Sequence, residues 1–317
     1  MFVVAIHARG EHCFPAAWHG IMCKKRLGAV QNQLKRMDIF QSVVIAIVEG
    51  LTEFLPVSST GHMIITQEIL GVESTTFVKA FTFIIQFGAI LSVVCLYWKR
   101  FFRLKEVPEG KKGLEAFLIR YDFYWKLLLG FLPAAALGLL LSDFIDAMLE
   151  NVAVVAIMLV LGGVLMLFVD KWFAKNEGKV TPLSERRSIA IGFYQCISMI
   201  PGVSRSMATI VGGMQQGLSR KDAAEFSFFL AVPTMFAASV YKMWGLVSEP
   251  ESMQQLSDNW LVLVIGMVVA FIVALAAIKL FISYVTKYGF KAFGWYRIIL
   301  GGAIIIMLLC GVSLEMA

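Results

Sequence analysis

Polar residues interrupt an apolar part of the chain in the segment EGLTEFLPVSSTGH, residues 49–62. Two carboxylates, Glu49 and Glu53, are four residues apart, a spacing that places both on one face of a helix. A run of hydroxyl residues and a histidine follow Pro56. Ionisable groups are costly at membrane depth and mark functional sites there. The segment therefore predicts a polar site at a break in a membrane helix, and an interfacial loop with solvated acids is the alternative.

The composition of the whole chain is typical of a membrane protein. Of 317 residues, 59% are hydrophobic and 16% are charged, whereas soluble domains are about 25% charged. The net charge of +6 is spread over short loops between apolar spans, so no nucleic-acid partner is predicted. The five cysteines are scattered and odd in number, which argues against a disulfide framework or a CxxC metal pair. We expect a polytopic protein embedded in the lipid bilayer.

Six segments have the roughly 20 apolar residues that a helix needs to cross the hydrocarbon core. They are residues 77–98, 123–141, 151–172, 222–244, 260–284 and 294–312. Six of the seven tryptophans lie at the ends of these segments, where the aromatic belt of a membrane protein places them. The pattern predicts six transmembrane helices.

Lysine and arginine alternate from loop to loop. Loop 99–126 contains eight of these residues and loop 171–188 contains five, whereas loops 142–151 and 245–259 contain none. Since basic loops stay in the cytoplasm, residue 77 and the C-terminus are predicted to lie outside.

Two further apolar stretches, 39–72 and 188–220, are broken by proline, glycine and hydroxyl residues. Basic pairs flank the second stretch on both sides, which predicts that it enters and leaves by the cytoplasmic face. The first stretch is expected to enter from the opposite face. Irregular backbone survives at membrane depth only where it lines a polar cavity, so both breaks are candidate sites.

The two halves of the chain resemble each other at an offset of 145 residues, which relates Pro56 to Pro201 and Phe81 to Phe226. Each half would contain one hairpin and three spans, and an odd number of spans inverts the second copy. The predicted fold is all-α: a polytopic membrane helix bundle with six transmembrane helices and two re-entrant hairpins in an inverted-topology repeat. The repeat halves are about 39–141 and 188–284, plus connecting and terminal helices.

The second broken stretch contains PGVSRSMAT, residues 201–209, with one guanidinium and three hydroxyls. Backbone amides, hydroxyls and arginine together suit an anion, and the planar fork of arginine suits phosphate. A lone snorkelling arginine is the alternative. With the first segment, this indicates phosphoryl transfer: Glu49 and Glu53 can hold Mg²⁺ or Ca²⁺, and His62 can act as a general acid or base.

At these residues the sequence resembles the undecaprenyl-pyrophosphate phosphatase family, also called bacitracin-resistance proteins. The family signatures (E/Q)xxxE and PGxSRSxxT correspond to residues 49–53 and 201–209, with His62 and the segment EFSFFLAVP at 225–233 in addition. The resemblance covers about residues 38–312. It implies hydrolysis of undecaprenyl pyrophosphate to the monophosphate, which recycles the lipid carrier for peptidoglycan synthesis. It also implies a divalent cation, a bacterial inner-membrane location with the site open to the periplasm, and a homodimer.

The resemblance also implies roles for individual residues. Glu49 and Glu53 would serve as metal ligands or in acid–base steps, and Ser59 would be a covalent nucleophile with His62 as its partner. Water activated by Glu53 or His62 is the rival to Ser59. The catalytic candidates are Glu49, Glu53, Ser59, His62 and Arg205, and the phosphate-binding candidates are Ser58, Thr60, Gly202, Ser204, Ser206 and Thr209.

Residues 1–36 have no counterpart in the family, and their basic groups, at 24–26 and 35–36, conflict with an outside location. We expect translation to begin at Met37, with a native cytoplasmic arm as the alternative, and a single membrane phosphatase domain over 37–317. The rival function is a polyprenyl-phosphate flippase, since inverted repeats are transporter architecture. A flippase, however, needs no acid–base group such as Glu53 beside its anion site.

Overall fold

The structure is a computed structural model that describes residues 37–149, 151–248 and 250–311. The proposed N-terminal extension, residues 1–36, lies outside the described residues. Local sequence signals explain where the first helices begin and end. Asp38 and Gln41 form a reciprocal capping box at the start of the first helix, and Gly71 ends the second with a left-handed backbone at φ 62°, which glycine adopts without strain.

The described part of the chain is helical, with fourteen α-helices and one 3₁₀ turn at Ala174–Asn176. The α-helices are α1 Ile39–Thr52, α2 Ser59–Leu70, α3 Thr76–Leu96, α4 Trp98–Phe102, α5 Gly113–Arg120, α6 Asp122–Leu140, α7 Ser142–Leu149, α8 Val152–Trp172, α9 Glu185–Ile197, α10 Arg205–Gln215, α11 Arg220–Val247, α12 Pro250–Asp258, α13 Trp260–Tyr288 and α14 Lys291–Leu309.

Six helices in the described residues are long and apolar enough to cross a membrane: α3, α6, α8, the Arg220–Gly245 part of α11, α13 and α14. They confirm the six predicted spans, and the chain is a multi-pass membrane protein. The largest boundary shift is at the end of the fifth span, which was expected at 284 and extends to Tyr288. The last span, expected at 294–312, forms a helix at Lys291–Leu309. The reason is Gly289, which ends α13 with φ at 75°, so that the next helix begins almost at once.

The two broken stretches form two pairs of short helices, α1 with α2 and α9 with α10. At 1.5 Å per residue, the 14 residues of α1 extend about 21 Å, less than the roughly 30 Å of the hydrocarbon core. Among the described residues, the non-glycine residues with positive φ are Ser58, at 69°, and Ser204, at 74°. Each immediately precedes the second helix of its pair, so the two turns share a local backbone conformation.

This shared conformation changes which serines of the two halves correspond in the internal repeat. Ser58 and Ser204 are 146 residues apart, one more than the offset of 145 at the prolines, because Gly202 is an additional residue in the second turn. The backbone therefore relates Ser204 to Ser58, whereas the sequence offset related it to Ser59.

Close helix contacts position the two helix pairs in the bundle. Helix α13 packs against both α1 and α3, α9 packs against α6, and α8 packs against α14. Glycines permit these approaches: a Cβ on Gly88 would lie 2.4 Å from the Met267 carbonyl oxygen, and one on Gly163 would lie 2.7 Å from the Gly294 carbonyl oxygen. The turns before α2 and α10 are thereby held by the surrounding spans.

Candidate functional site

An ion pair joins the two broken segments. Glu53, the residue that ends α1, lies with its Oε1 3.2 Å from Nη2 of Arg205, the first residue of α10. The two side chains are only 9% and 12% exposed. A buried carboxylate and guanidinium need each other, since removing either leaves an uncompensated charge. The tertiary structure thus brings together two motifs that are about 150 residues apart in sequence.

The second oxygen of the same carboxylate accepts a hydrogen bond from Ser59. The distance from Ser59 Oγ to Glu53 Oε2 is 2.7 Å. A hydroxyl that donates to a carboxylate is arranged for loss of its proton, which is what activates a serine nucleophile. The structure therefore pairs Ser59 with Glu53, whereas the resemblance had suggested His62 as its partner.

His62 has hydrogen-bond partners on both ring nitrogens. Its Nδ1 lies 2.7 Å from the Ser58 carbonyl oxygen, and its Nε2 lies 2.7 Å from the Tyr296 hydroxyl, whose ring stacks on it at 5.4 Å. A carbonyl only accepts, so Nδ1 donates the hydrogen, and Nε2 of the neutral ring accepts from Tyr296. His62 thus supports the turn that presents Ser59. The sequence interpretation missed Tyr296, because a tyrosine near a span end is also typical of the aromatic belt.

One of the three guanidinium nitrogens of Arg205 has no hydrogen-bond partner within the described residues. Its Nη1 donates to the Ser227 carbonyl at 3.2 Å, and its Cζ lies 5.7 Å from the ring centroid of Phe54. Its Nε is buried with no hydrogen-bond partner among the described residues. An unsatisfied buried donor is costly, and a phosphate oxygen is a matching acceptor for a guanidinium. This arrangement therefore suits an anion.

Glu49 is the second carboxylate of the site and is fully buried. Neither of its oxygens makes a hydrogen bond of good geometry within the described part of the chain, although Glu53 and Gln86 are close enough to interact with it. A carboxylate in that position needs either a proton or a cation.

The described residues include no group of three or more His, Cys, Asp or Glu side chains placed to hold a metal ion. Mg²⁺, however, is usually held by one or two carboxylates together with water and substrate phosphates. Glu49 and Glu53 suit a cation of that kind, whose remaining ligands would be water and phosphate oxygens.

The hydroxyls of the second motif differ in what they contact. Ser206 donates to the Leu55 carbonyl at 2.8 Å and lies 3.0 Å from Ser204 Oγ. Thr209 lies 2.6 Å from Ser227 Oγ and donates to the Arg205 carbonyl at 2.8 Å. Ser206 and Thr209 are buried. Through these hydrogen bonds Ser206 joins α10 to the turn after α1, and Thr209 joins α10 to α11. Ser204 is half-buried and directly precedes Arg205.

Two phosphate-binding candidates lie at the start of α2. Ser58 is buried and makes no capping hydrogen bond with its side chain. Thr60 is half-buried, beside Ser59 in the first turn. The helix N-terminus at this point has unpaired backbone N–H groups that suit an anion. The roles of both residues in phosphate binding stay predictions.

Arg297 of α14 joins the two turns, and the sequence interpretation missed it. This fully buried residue donates to the Pro56 carbonyl at 3.1 Å and to the Gly202 carbonyl at 2.8 Å, with further bonds to the Met158 and Leu159 carbonyls. Gly202 has φ at 89°, and a Cβ there would lie 2.4 Å from the Val155 carbonyl oxygen. The signal in the sequence was a charged residue inside the 294–312 span, which marks a polar interior.

We expect Arg297→Met to lower the thermal midpoint of the purified protein by several degrees and to reduce activity. Four carbonyls would lose their donor, and each hydrogen bond to a charged group is worth about 1.5–3 kcal/mol. Arg186→Met, which removes an exposed arginine, is the matched control and should melt like the wild type. Thermal unfolding in detergent measures both, and an unchanged midpoint for Arg297→Met would contradict this role.

Comparisons with known proteins agree on one family. A family model described as bacitracin resistance protein BacA matches residues 42–303. A Porphyromonas gingivalis protein named undecaprenyl-diphosphatase is 58% identical over 283 residues, which cover 88% of this chain and 99% of that protein. Proteins of the same name from Flavobacterium johnsoniae and Aquifex aeolicus are 54% and 42% identical, each over 84% of this chain and over 94% and 96% of their own lengths.

Proposed function

The chain belongs to the bacitracin resistance protein BacA family, and on that premise we propose that it is a membrane-embedded undecaprenyl-diphosphatase. It hydrolyses undecaprenyl diphosphate to undecaprenyl phosphate and inorganic phosphate, which returns the carrier lipid to peptidoglycan synthesis and confers bacitracin resistance. The observation that carries the proposal is the Glu53 carboxylate, which holds Ser59 on one oxygen and Arg205 on the other.

This arrangement supplies the parts that phosphoryl transfer needs. Arg205 binds the oxygens of the terminal phosphate, and its buried Nε, which has no hydrogen-bond partner among the described residues, is a candidate donor to one of them. Ser59 Oγ forms a bond to the terminal phosphorus as the anhydride bond to the lipid phosphate breaks, and Glu53 takes the hydroxyl proton. Water then cleaves the phosphoserine and releases inorganic phosphate. Direct attack by a water molecule that Glu53 activates is the competing mechanism.

A divalent cation, Mg²⁺ or Ca²⁺, completes the proposed site. Glu49 and Glu53 would hold it together with phosphate oxygens. When bound, the cation neutralises charge on the phosphate oxygens. The buried carboxylate of Glu49 makes no hydrogen bond of good geometry in the part of the chain that the structure describes, which supports this assignment.

The alternative of a polyprenyl-phosphate flippase is not supported. The similar proteins have the name of an enzyme, and a flippase has no need for the hydrogen bond between Ser59 and Glu53. That bond prepares a hydroxyl for chemistry, whereas transport only requires a reversible anion site.

We also propose that the helix pairs are re-entrant hairpins of an inverted repeat. Support comes from reciprocal packing: α1 contacts α13, the second span of the other half, and α9 contacts α6, again the second span of the other half. The first spans, α3 and α11, contact each other, as do the third spans, α8 and α14. A pseudo-two-fold axis in the membrane plane produces such a pattern.

The proposed location is the bacterial inner membrane, with the site open to the periplasm and α7 and α12 outside. In a background without native cysteines, cysteines in place of the exposed Ala147 and Gln254 should react with an impermeant thiol reagent in intact cells. A cysteine in place of Lys111 should react only after permeabilisation, because its loop is basic and cytoplasmic. The reverse labelling pattern would overturn both the topology and the periplasmic site.

The homodimer stays a prediction, which a mass measurement of the purified protein tests.

Phosphate release by the purified protein from undecaprenyl diphosphate, with and without a chelator, tests the function. We expect release that the chelator abolishes and that added Mg²⁺ or Ca²⁺ restores. Absence of release under all conditions would refute the activity, and release that the chelator leaves unchanged would refute the cation.

A further inference from the structure

A cavity lies apart from the Glu53–Arg205 site. It has a volume of about 330 Å³ and lies between α6, α7, α9 and α11. Its wall is mostly apolar and includes Phe131, Gly138, Met199 and Ala237. None of Glu49, Glu53, Ser59, His62 and Arg205 lines it. Cavities of about 300 Å³ or more with an apolar wall are typical of small-molecule sites.

We propose that this cavity binds part of the polyprenyl chain of the substrate lipid. The inference rests on the proposed function and extends it, because it assigns a binding site to the apolar part of the substrate. The remainder of the chain lies in the bilayer, since the cavity is too small for a long polyprenyl group.

The cavity lies on the same face of α11 as the phosphate site. Ser227, whose carbonyl oxygen accepts from Arg205, and Thr234, which lines the cavity, are seven residues apart and therefore share a helix face. At 1.5 Å per residue they are about 10 Å apart along the axis. A lipid whose diphosphate binds Arg205 would reach the cavity within its first few isoprene units.

The chain itself also connects the cavity with the site. Gln195 and Met199 line the cavity, and the turn that follows them presents Ser204 and Arg205. Thr234 donates to Gln195 Oε1 at 3.2 Å, so these two polar groups contact each other within an apolar wall.

The cavity lies at one of two helix contacts that the proposed repeat makes equivalent, and the other contact is closely packed. Where α3 of the first half meets α13 of the second, the helices approach closely: a Cβ on Gly88 would lie 2.4 Å from the Met267 carbonyl oxygen, and one on Gly266 would lie 2.4 Å from Phe81 Cε2. The equivalent contact is between α11 of the second half and α6 of the first. A Cβ on Gly138 of α6 would meet only Met199 Cε, at 3.6 Å. Interiors close-pack wherever their residues allow it, so an opening at one of two equivalent places indicates a ligand.

Gly138→Leu tests the inference, because the new side chain enters the cavity without meeting backbone. Gly302→Leu is the matched control: it makes the same change in a spanning helix, with no atom within 4 Å of the added Cβ. Ala237→Leu fills the cavity from another helix. Each variant is assayed in mixed micelles with undecaprenyl diphosphate and with dimethylallyl diphosphate, an analogue with the same headgroup whose single isoprene unit is too short to reach the cavity.

We expect both cavity-filling variants to raise the KM for undecaprenyl diphosphate about tenfold. The added side chain displaces part of the polyprenyl chain, and losing the burial of about two methylene groups of the substrate has that effect. Turnover of dimethylallyl diphosphate should stay close to wild type, and Gly302→Leu should leave both substrates unaffected.

Two results would overturn the inference while the proposed function survives. In the first, the cavity-filling variants hydrolyse both substrates as the wild type does. In the second, they lose activity on both substrates equally, as expected if a bilayer phospholipid or plain packing occupies the cavity. Wild-type protein that hydrolyses neither substrate is a different result, and it would refute the proposed function together with this inference.

Discussion

Glu53→Gln is expected to lower turnover of undecaprenyl diphosphate by at least about 10²-fold, the scale of one lost general base. The substitution preserves the shape of the side chain, and the amide oxygen still accepts from Arg205 or Ser59. It removes the charge that pairs with Arg205 across 3.2 Å and the base that accepts the proton of Ser59 across 2.7 Å. Because the amide keeps one of the two contacts and cannot act as a base, the loss should appear in kcat, with a smaller loss of stability than Arg205→Ala causes.

Phosphate release at saturating substrate, measured beside thermal unfolding, checks this prediction. Glu68→Gln is the control, since Glu68 is exposed on α2 and the change in net charge is the same. Arg205→Ala should produce a loss of similar size, accompanied by lower stability, because it leaves Glu53 buried without its partner. Turnover close to wild type in well-folded Glu53→Gln would remove Glu53 from the mechanism.

Ser59→Ala is expected to lower turnover by about 10³-fold or more, because loss of a nucleophile removes the covalent route. Ser58→Ala should have a much smaller effect. The Ser58 side chain makes no capping hydrogen bond, and it is its backbone carbonyl that binds His62. Backbone geometry separates these neighbours: the positive φ of Ser58 forms the turn, and Ser59 then directs its hydroxyl to Glu53.

Methanol partitioning distinguishes a phosphoserine from direct attack by water. A covalent intermediate transfers its phosphoryl group to methanol as well as to water, and two successive displacements retain configuration at a chiral phosphorus. Methyl phosphate formed with retention is the expected result. Inversion would indicate a single in-line displacement by water and would leave Ser59 as a phosphate ligand.

Most of the membrane topology could be predicted from the sequence. The six spans are confirmed because the length and polarity of a span are local properties, set by the thickness of the hydrocarbon core. The boundaries moved by a few residues where a backbone feature such as Gly289 decided where a helix ends. The register of the repeat was harder to predict, because one additional residue, Gly202, shifts the serines relative to the prolines.

The types of chemical group in the site could also be read from the sequence, but their pairing could not. Glu53, Ser59 and His62 are close in sequence, so His62 was an equally reasonable partner for Ser59. Which pair forms depends on the side-chain directions that the Ser58 turn imposes and on Tyr296, a residue 234 positions away that binds His62 Nε2.

The sequence by itself determined the membrane class, the spans and the two motifs, because hydrophobicity and motif spacing are properties of single segments. Only the tertiary structure decided which groups meet. It placed Arg205 against Glu53, directed Ser59 to that carboxylate, and buried Arg297 between the two turns. These contacts depend on the approach of helices through glycines such as Gly88 and Gly163. The free energy of such an approach comes from the packing of distant segments, which no local pattern in the sequence records.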